Sequence, residues 1–285
     1  MADVPRPLEP RILRMNSSLS ATIRAFAVLA SLPFCTLSSS AAETPPPLSA
    51  TELASRLSAQ RQDGSSYVRV RLEIKGAGKD PLQLQIKERR TKAATEVVYQ
   101  VLFPKERKGE SVLLRKVGNR PASGAVFVPP NTVRELSAGD MKEGLFGSDL
   151  AYEDVVENFF AWDQQAIVAT EEVDGVACQV LESKPGKGDR SIYSSVKSWI
   201  DVRRMVPLRV EKFTGSGQSA RRIDTTRVAA VDGRSVPANL LVRVPGRGTS
   251  TALDGSRLKR DVTFADREFT ADGFKELTVP RGSAE

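Results

Sequence analysis

From Tyr67 onward the chain alternates apolar and polar residues with few interruptions. Val68, Val70, Leu72 and Ile74 interleave with Arg69, Arg71, Glu73 and Lys75, which puts every apolar side chain of the run on one face of a strand. The turn-forming stretch Gly76 to Pro81 follows, and Leu82, Leu84 and Ile86 then alternate with Gln83, Gln85 and Lys87 to complete a hairpin. The same period recurs over Val97–Phe103, Ser111–Val117 and Ala125–Val128, each run bounded by Pro, Gly or Asn. Beyond residue 163 it covers Ala166–Glu172 and Val176–Lys184, joined by the hairpin signal Asp174-Gly175. Val196–Val202, Pro207–Thr214, Ser219–Val231, Val236–Val244 and Leu258–Phe264 complete the set. A sheet of about eleven antiparallel strands is too wide to stay flat, so it must curl toward a barrel or split into a sandwich.

Two stretches depart from the alternation. Ser49 and Thr51 offer N-caps to a short helix on which Ala50, Leu53, Ala54 and Leu57 share one face, and Gly64 ends it. Residues 149–162 (DLAYEDVVENFFAW) predict a second helix, capped by Asp149, with Val155, Val156, Phe159, Phe160 and Trp162 on a broad apolar face. The expected fold is therefore mainly β with some α: a strongly curved, half-open antiparallel barrel with helices plugging or lidding its mouth.

The N-terminus changes the compartment in which this fold is to be placed. Arg11, Arg14 and Arg24 precede the apolar stretch Ala25 to Phe34, and small residues Ser38 to Ala42 follow it. Basic head, apolar middle and small-residue exit make a secretion signal. The apolar stretch falls short of the roughly 20 residues a membrane span needs. Residues 1–42 are read as the signal, cleaved near Ala42, with Met1 and Met15 both open as the start. Residues 43–64 form a linker and the first helix, and 65–285 the curved-sheet domain. The expected destination is the periplasm. Phe34 directly before Cys35 argues against lipidation of that cysteine. With Cys35 removed, Cys178 stands alone in the apolar run Val176 to Val180 and reads as a buried, inert thiol.

Charge and composition remove more chemistry than they suggest. Histidine is absent, which eliminates Ser-His-Asp and Cys-His nucleophiles and histidine zinc ligands. The formal charge of +7 is spread along the strands with few aromatics between the cations, so no nucleic-acid groove is expected; attraction to anionic membrane surfaces fits better. Ser194 and Lys197 have the S-x-x-K spacing, but their flanks alternate like a strand, which would send the two side chains to opposite faces. Asp149, Glu153, Asp154 and Glu157 cluster on the second predicted helix, where acids complement the helix dipole and are expected to face solvent. No catalytic residue, metal site or cofactor is expected.

The segment Gly147 to Val155 (GSDLAYEDV) resembles the G-S-D-[FL]-[ST]-Y-E-D-[LM] signature of outer-membrane lipoprotein-sorting proteins of the LolA/LolB-like superfamily. The run Trp199 to Glu211 (WIDVRRMVPLRVE) is similar to a second stretch of that family, in the same order along the chain. Ala151 departs from the usual Ser or Thr. The resemblance extends over roughly Leu53 to Phe269 and implies a half-open barrel enclosing an apolar cavity for the acyl chains of a lipoprotein, or for another lipid. It further implies a monomer making transient membrane contact, with an inner-membrane exporter as a possible partner, in outer-membrane lipoprotein sorting. On that resemblance Leu150, Tyr152, Val155, Phe159 and Phe160 would line or close the cavity, with Trp199 on a facing strand. The alternative is a non-enzymatic interaction scaffold associated with an envelope exporter, its cavity filled by its own side chains.

Overall fold

The alternating runs are gathered into one antiparallel sheet. In the computed structural model, which describes residues 48–61 and 64–279, thirteen strands follow one another: β1 (Gly64–Lys75), β2 (Leu82–Arg90), β3 (Ala94–Phe103), β4 (Ser111–Val117), β5 (Ser123–Val128), β6 (Thr132–Leu136), β7 (Gln164–Val173), β8 (Val176–Lys184), β9 (Ser195–Asp201), β10 (Val206–Phe213), β11 (Ser219–Val231), β12 (Arg234–Arg243) and β13 (Ser250–Arg260). The expected secretion signal, its cleavage point near Ala42, Cys35 and both candidate start residues lie outside the described residues.

Two meanders make up the sheet. β1 to β6 run outward in sequence order on one side, β13 back to β7 on the other, and β1 pairs with β13 at the join. Leu72 stands opposite Leu253 there, and a bulge between Val68 and Val70 bends the ladder. β6 and β7 are the two edges, so the curved sheet stays open as expected. The strand count is thirteen rather than about eleven. β6 was missed because its first four residues are exposed and polar or singly apolar, leaving no alternation to detect. The last strand starts at Ser250, not Leu258, because Ala252, Leu253 and Gly255 hide its period.

Helix α1 (Ala50–Arg61) forms where predicted. Ser49 Oγ accepts the Glu52 backbone N–H at 3.2 Å, and Leu53, Ala54 and Leu57 are buried against Phe159, Phe160, Leu181 and Ile200. The face of the sheet that α1 covers is the inner one; Val70, Leu72, Leu84, Val97, Tyr99, Val112 and Leu114 continue it across β1 to β4. The outer face is also partly covered. Phe264, Phe269 and Phe274 of the C-terminal segment pack on Val98, Leu113, Ala125 and Phe127. Gln100 Nε2 donates to the carbonyls of Phe274 and Glu276, and Lys87 Nζ meets Glu268 at 2.7 Å. Those polar contacts fix the segment where apolar packing alone would let it slide.

Candidate functional site

The segment 144–162 crosses the inner face and closes one side of a cavity. Its entry is a tight fold. Gly144 pairs with Ala151 as an isolated bridge, and a Cβ on Gly144 would meet Ser148 O at 2.0 Å. Asp149 then pins the segment to β13: its backbone N–H donates to Thr251 Oγ1 at 2.9 Å, while Thr251 and Thr249 hydroxyls donate to its carboxylate at 2.9 and 3.1 Å.

Where a continuous helix over 149–162 was expected, only α2 (Tyr152–Val156) and a single 3-10 turn at Phe159–Ala161 form. Glu157 breaks the helix in an extended conformation, and its carboxylate pairs with Lys116 at 2.8 Å and accepts Trp162 Nε1–H at 2.9 Å. Asp149 does not cap the helix; Asp154 accepts the Ala151 N–H instead, at 2.6 Å. The four acids expected to face solvent are all buried. The reason is tertiary: each carboxylate reaches a cation, hydroxyl or N–H on the sheet or a neighbouring loop, which replaces the water it loses.

Asp154 is the centre of this arrangement. Lys212 Nζ and Tyr193 Oη each donate to Oδ1 at 2.7 Å, and Arg221 Nη1 reaches Oδ2 at 3.1 Å. Arg221 also donates through Nε to Asp149 O at 2.5 Å. Burial by itself would raise the Asp154 carboxyl, but the charges of Lys212 and Arg221 hold it below its ordinary value. Burial lowers Lys212 against the pull of Asp154. Tyr193 is pushed up by burial and then by the Asp154 charge, so its phenol stays protonated and donates. Glu153 is raised by burial, opposed by hydrogen bonds from Ser191 and the Ile192 N–H.

Behind the segment lies a cavity of about 680 Å³, within the usual range of ligand pockets. Leu150, Val155, Phe159 and Phe160 line it from the segment, Leu57 from α1, and Val68, Val70, Ile86 and Tyr99 from β1 to β3. Tyr152 and Trp199 are not in its wall. Tyr152 is packed into the inner core that also holds Met141, Leu145 and Val156. Trp199 belongs to the outer face with Val173, Cys178, Val180, Val206 and Leu208; its indole N–H donates to Glu171 at 2.7 Å and the Arg209 guanidinium lies 5.5 Å from its ring centre. Strand parity explains this. Trp199 stands opposite Val180 and Arg209, so Ser198 and Ile200 take the inner face.

Further apolar wall comes from residues that sequence reasoning did not single out, among them Ala229 and Val231 on β11, Val236 and Ala238 on β12, and Leu258 on β13. All five are only half-buried. Their signal was present as alternation, but alternation fixes a face without saying whether that face is packed or open.

Charge on the wall is one-sided. Its basic members are Arg61, Arg90, Lys212, Arg227, Arg234, Arg257 and Arg260, against Asp154 as the one acid, which Lys212 and Arg221 already neutralise. Arg227, Arg234 and Arg257 are exposed, so they mark the mouth. Arg61 is lowered to about 10 by burial and by the neighbouring charge of Arg90.

Other chemistry is sparse. Ser194 Oγ donates to the carbonyls of Phe213 and Thr214, and Lys197 Nζ lies over the Phe213 ring, so the pair does not converge. Among the described residues no group of three or more Cys, Asp or Glu could hold a metal ion, and no helix is long and apolar enough to cross a membrane.

A family model described as "Uncharacterized protein" matches residues 93–276. No curated protein matches the chain. Among solved structures, a DUF1329 family protein from Desulfovibrio piger is 22% identical, with 79% of this chain and 97% of that one covered at a TM-score of 0.73. A domain described as outer membrane lipoprotein-sorting, from Vibrio parahaemolyticus, is 19% identical over 80% of this chain and 98% of its own, at 0.71. A LolA superfamily protein from Nitrosomonas europaea is 19% identical over 79% and 99%, at 0.62. Curved open sheet and inner-face cap together give this chain the LolA-like fold.

Proposed function

The chain belongs to the family whose model spans its residues 93–276, and with that membership and the cavity as premises we propose that it is a periplasmic, non-enzymatic carrier of acyl chains. The cargo is a lipoprotein's acyl chains or another lipid, handed between envelope membranes, and residues 1–42 serve as the export signal. One observation carries the reading. A sheet with this much inner apolar surface leaves Val68, Ile86, Ala229, Val231, Val236, Ala238 and Leu258 half-buried around about 680 Å³ of space. Each acyl CH₂ that enters gains about 0.8 kcal/mol, a drive proportional to chain length and indifferent to sequence. Leu150, Val155, Phe159 and Phe160 form the cap side of the proposed binding surface. A scaffold that fills its own cavity would bury Val68, Ile86, Ala229, Val231, Val236, Ala238 and Leu258, which are only half-buried, so the carrier reading is preferred.

The test is native mass spectrometry, with organic extraction, of the chain starting after Ala42 and purified from envelope extract. Copurified lipid or acylated peptide supports the carrier and identifies its cargo. An apo mass together with no uptake of a fluorescent acyl probe overturns it in favour of the scaffold associated with an exporter.

A further inference from the structure

Two polar side chains open onto the apolar cavity without a hydrogen-bonding partner. Arg61, the last residue of α1, lines the cap side of the wall, its guanidinium carbon 5.5 Å from the centre of the Phe159 ring. A cation over a ring face keeps its N–H edge available, and among the described residues Arg61 makes no hydrogen bond and no ion pair. Tyr99, on β3, is 5% exposed and lines the same cavity, and among the described residues its hydroxyl makes no hydrogen bond either. The two groups feel each other: burial and then the Glu88 charge push the Tyr99 phenol up, and the Arg90 and Arg61 charges offset part of that rise. The phenol stays protonated and acts as a donor.

The other charged groups around them are engaged with one another. Arg90 pairs with Glu88 and donates to Val155 O at 3.0 Å. Glu157 is held by Lys116 at 2.8 Å, and Asp154 by Lys212 at 2.7 Å. Arg61 is left beside Leu57, Val68, Ile86 and Phe160 in the wall, and burial, then the Arg90 charge, lowers it to about 10. A charge stripped of water in apolar surroundings is costly until an opposite charge meets it. An ester or amide carbonyl, which is neutral, leaves that charge unmatched. A carboxylate gives two oxygens to the planar guanidinium fork and keeps a lone pair for the Tyr99 O–H.

Resting on the carrier reading, we infer that the cavity takes a free long-chain fatty acid, its carboxylate bound by the Arg61 guanidinium and the Tyr99 hydroxyl and its hydrocarbon chain laid along the apolar wall that Val236 and Leu258 continue. The acid head is then on the cap side, beside Phe159, so the segment that closes the cavity also covers the end of the ligand that carries its charge.

The experiment measures displacement of a fluorescent acyl probe from the delipidated chain starting after Ala42, at about pH 8 where the fatty acid is ionised. The competitors are oleic acid, oleyl alcohol, methyl oleate and dioleoyl phosphatidylglycerol, which share one acyl chain and differ in the head. Oleate should bind about tenfold tighter than the alcohol or the ester, the worth of one charge-assisted pair. Arg61→Gln should bring oleate down to the alcohol while the alcohol stays within about a factor of two of its original affinity, which shows that the variant is folded and its cavity kept. Arg61→Lys should restore part of the preference, and Tyr99→Phe should cost oleate about threefold and the alcohol little. Equal binding of oleate and the alcohol by the unaltered chain overturns the inference and leaves the carrier reading intact. So does a preference for oleate that survives Arg61→Gln, or phosphatidylglycerol that outcompetes oleate. If the probe does not bind and none of the four lipids is taken up, the carrier reading falls first and the inference goes with it.

Discussion

Lys212 Nζ lies 2.7 Å from Asp154 Oδ1 with both side chains almost wholly buried, joining β10 to a segment 58 residues earlier in the chain. Such a pair contributes little net stability compared with an apolar substitute, yet breaking it is expensive because one charge is left buried alone. Asp154→Asn should cost about 3–5 kcal/mol, since Lys212 and Arg221 would both lose their counter-charge. Lys212→Gln should cost less, because Arg221 still faces Asp154. In a double-mutant cycle read by urea denaturation the two losses should fall well short of additive. Additive losses would mean that the pair does not couple the cap segment to the sheet.

The same carboxylate sets a direction for pH dependence. Its folded value lies below the ordinary 3.8, so the unfolded chain takes up the proton more readily. The stability that Asp154 contributes is therefore complete above 3.8 and is lost as pH falls through the lower folded value. Wild type and Asp154→Asn should differ most at neutral pH and converge as pH is lowered below that range. Glu153 acts in the opposite sense: raised by burial, it makes the folded chain the better proton binder, so stability falls as pH rises from the ordinary 4.5 through the raised value. Glu153→Gln should flatten that loss, visible in melting temperatures taken across the interval. A gap between wild type and Asp154→Asn that does not narrow in acid would contradict the assignment.

The strand runs were legible because alternation is a local consequence of a sheet with one buried face, and ten or more of them leave little choice but a curved antiparallel architecture. What the sequence concealed is tertiary. The acids of 149–157 read as a solvated helix start, because nothing local announces that Lys116, Tyr193, Lys212 and Arg221 will converge on them. Trp199 read as a cavity residue through motif resemblance, although the parity of β9 already sends it to the face opposite Ser198 and Ile200. β6 was invisible because an exposed edge strand has no buried face to imprint a period.

Cys178 offers a probe of the outer face. It is buried beside Val180 and Val206, and burial pushes its thiol up, so the thiolate that reacts with disulfide reagents is scarce in the folded chain. In a chain starting after Ala42, where Cys178 is the remaining cysteine, labelling should be slow in buffer and fast in denaturant. Its rate should report opening of β8 and β9, and lipid loading should leave it nearly unchanged because the cavity is on the other face. Rapid labelling of the folded protein would refute the placement of this strand pair.

The opposed faces of β9 and β12 give the sharpest separation between motif resemblance and geometry. Val236 is half-buried in the cavity wall, so Val236→Asp places a carboxylate where acyl chain would lie and should weaken binding of a fluorescent acyl probe by about tenfold or more. Its melting temperature should change little, because the side chain is not closed into the core. Trp199→Phe removes the indole N–H bond to Glu171 and some outer-face packing. It should lower stability modestly, by roughly 1–2 kcal/mol, while leaving probe affinity within a factor of two. Phe159→Asp cannot separate these cases alone, since Phe159 is packed against Leu53, Leu57 and Phe160 as well as lining the cavity. If Trp199→Phe abolished binding and Val236→Asp spared it, the cargo would lie on the outer face.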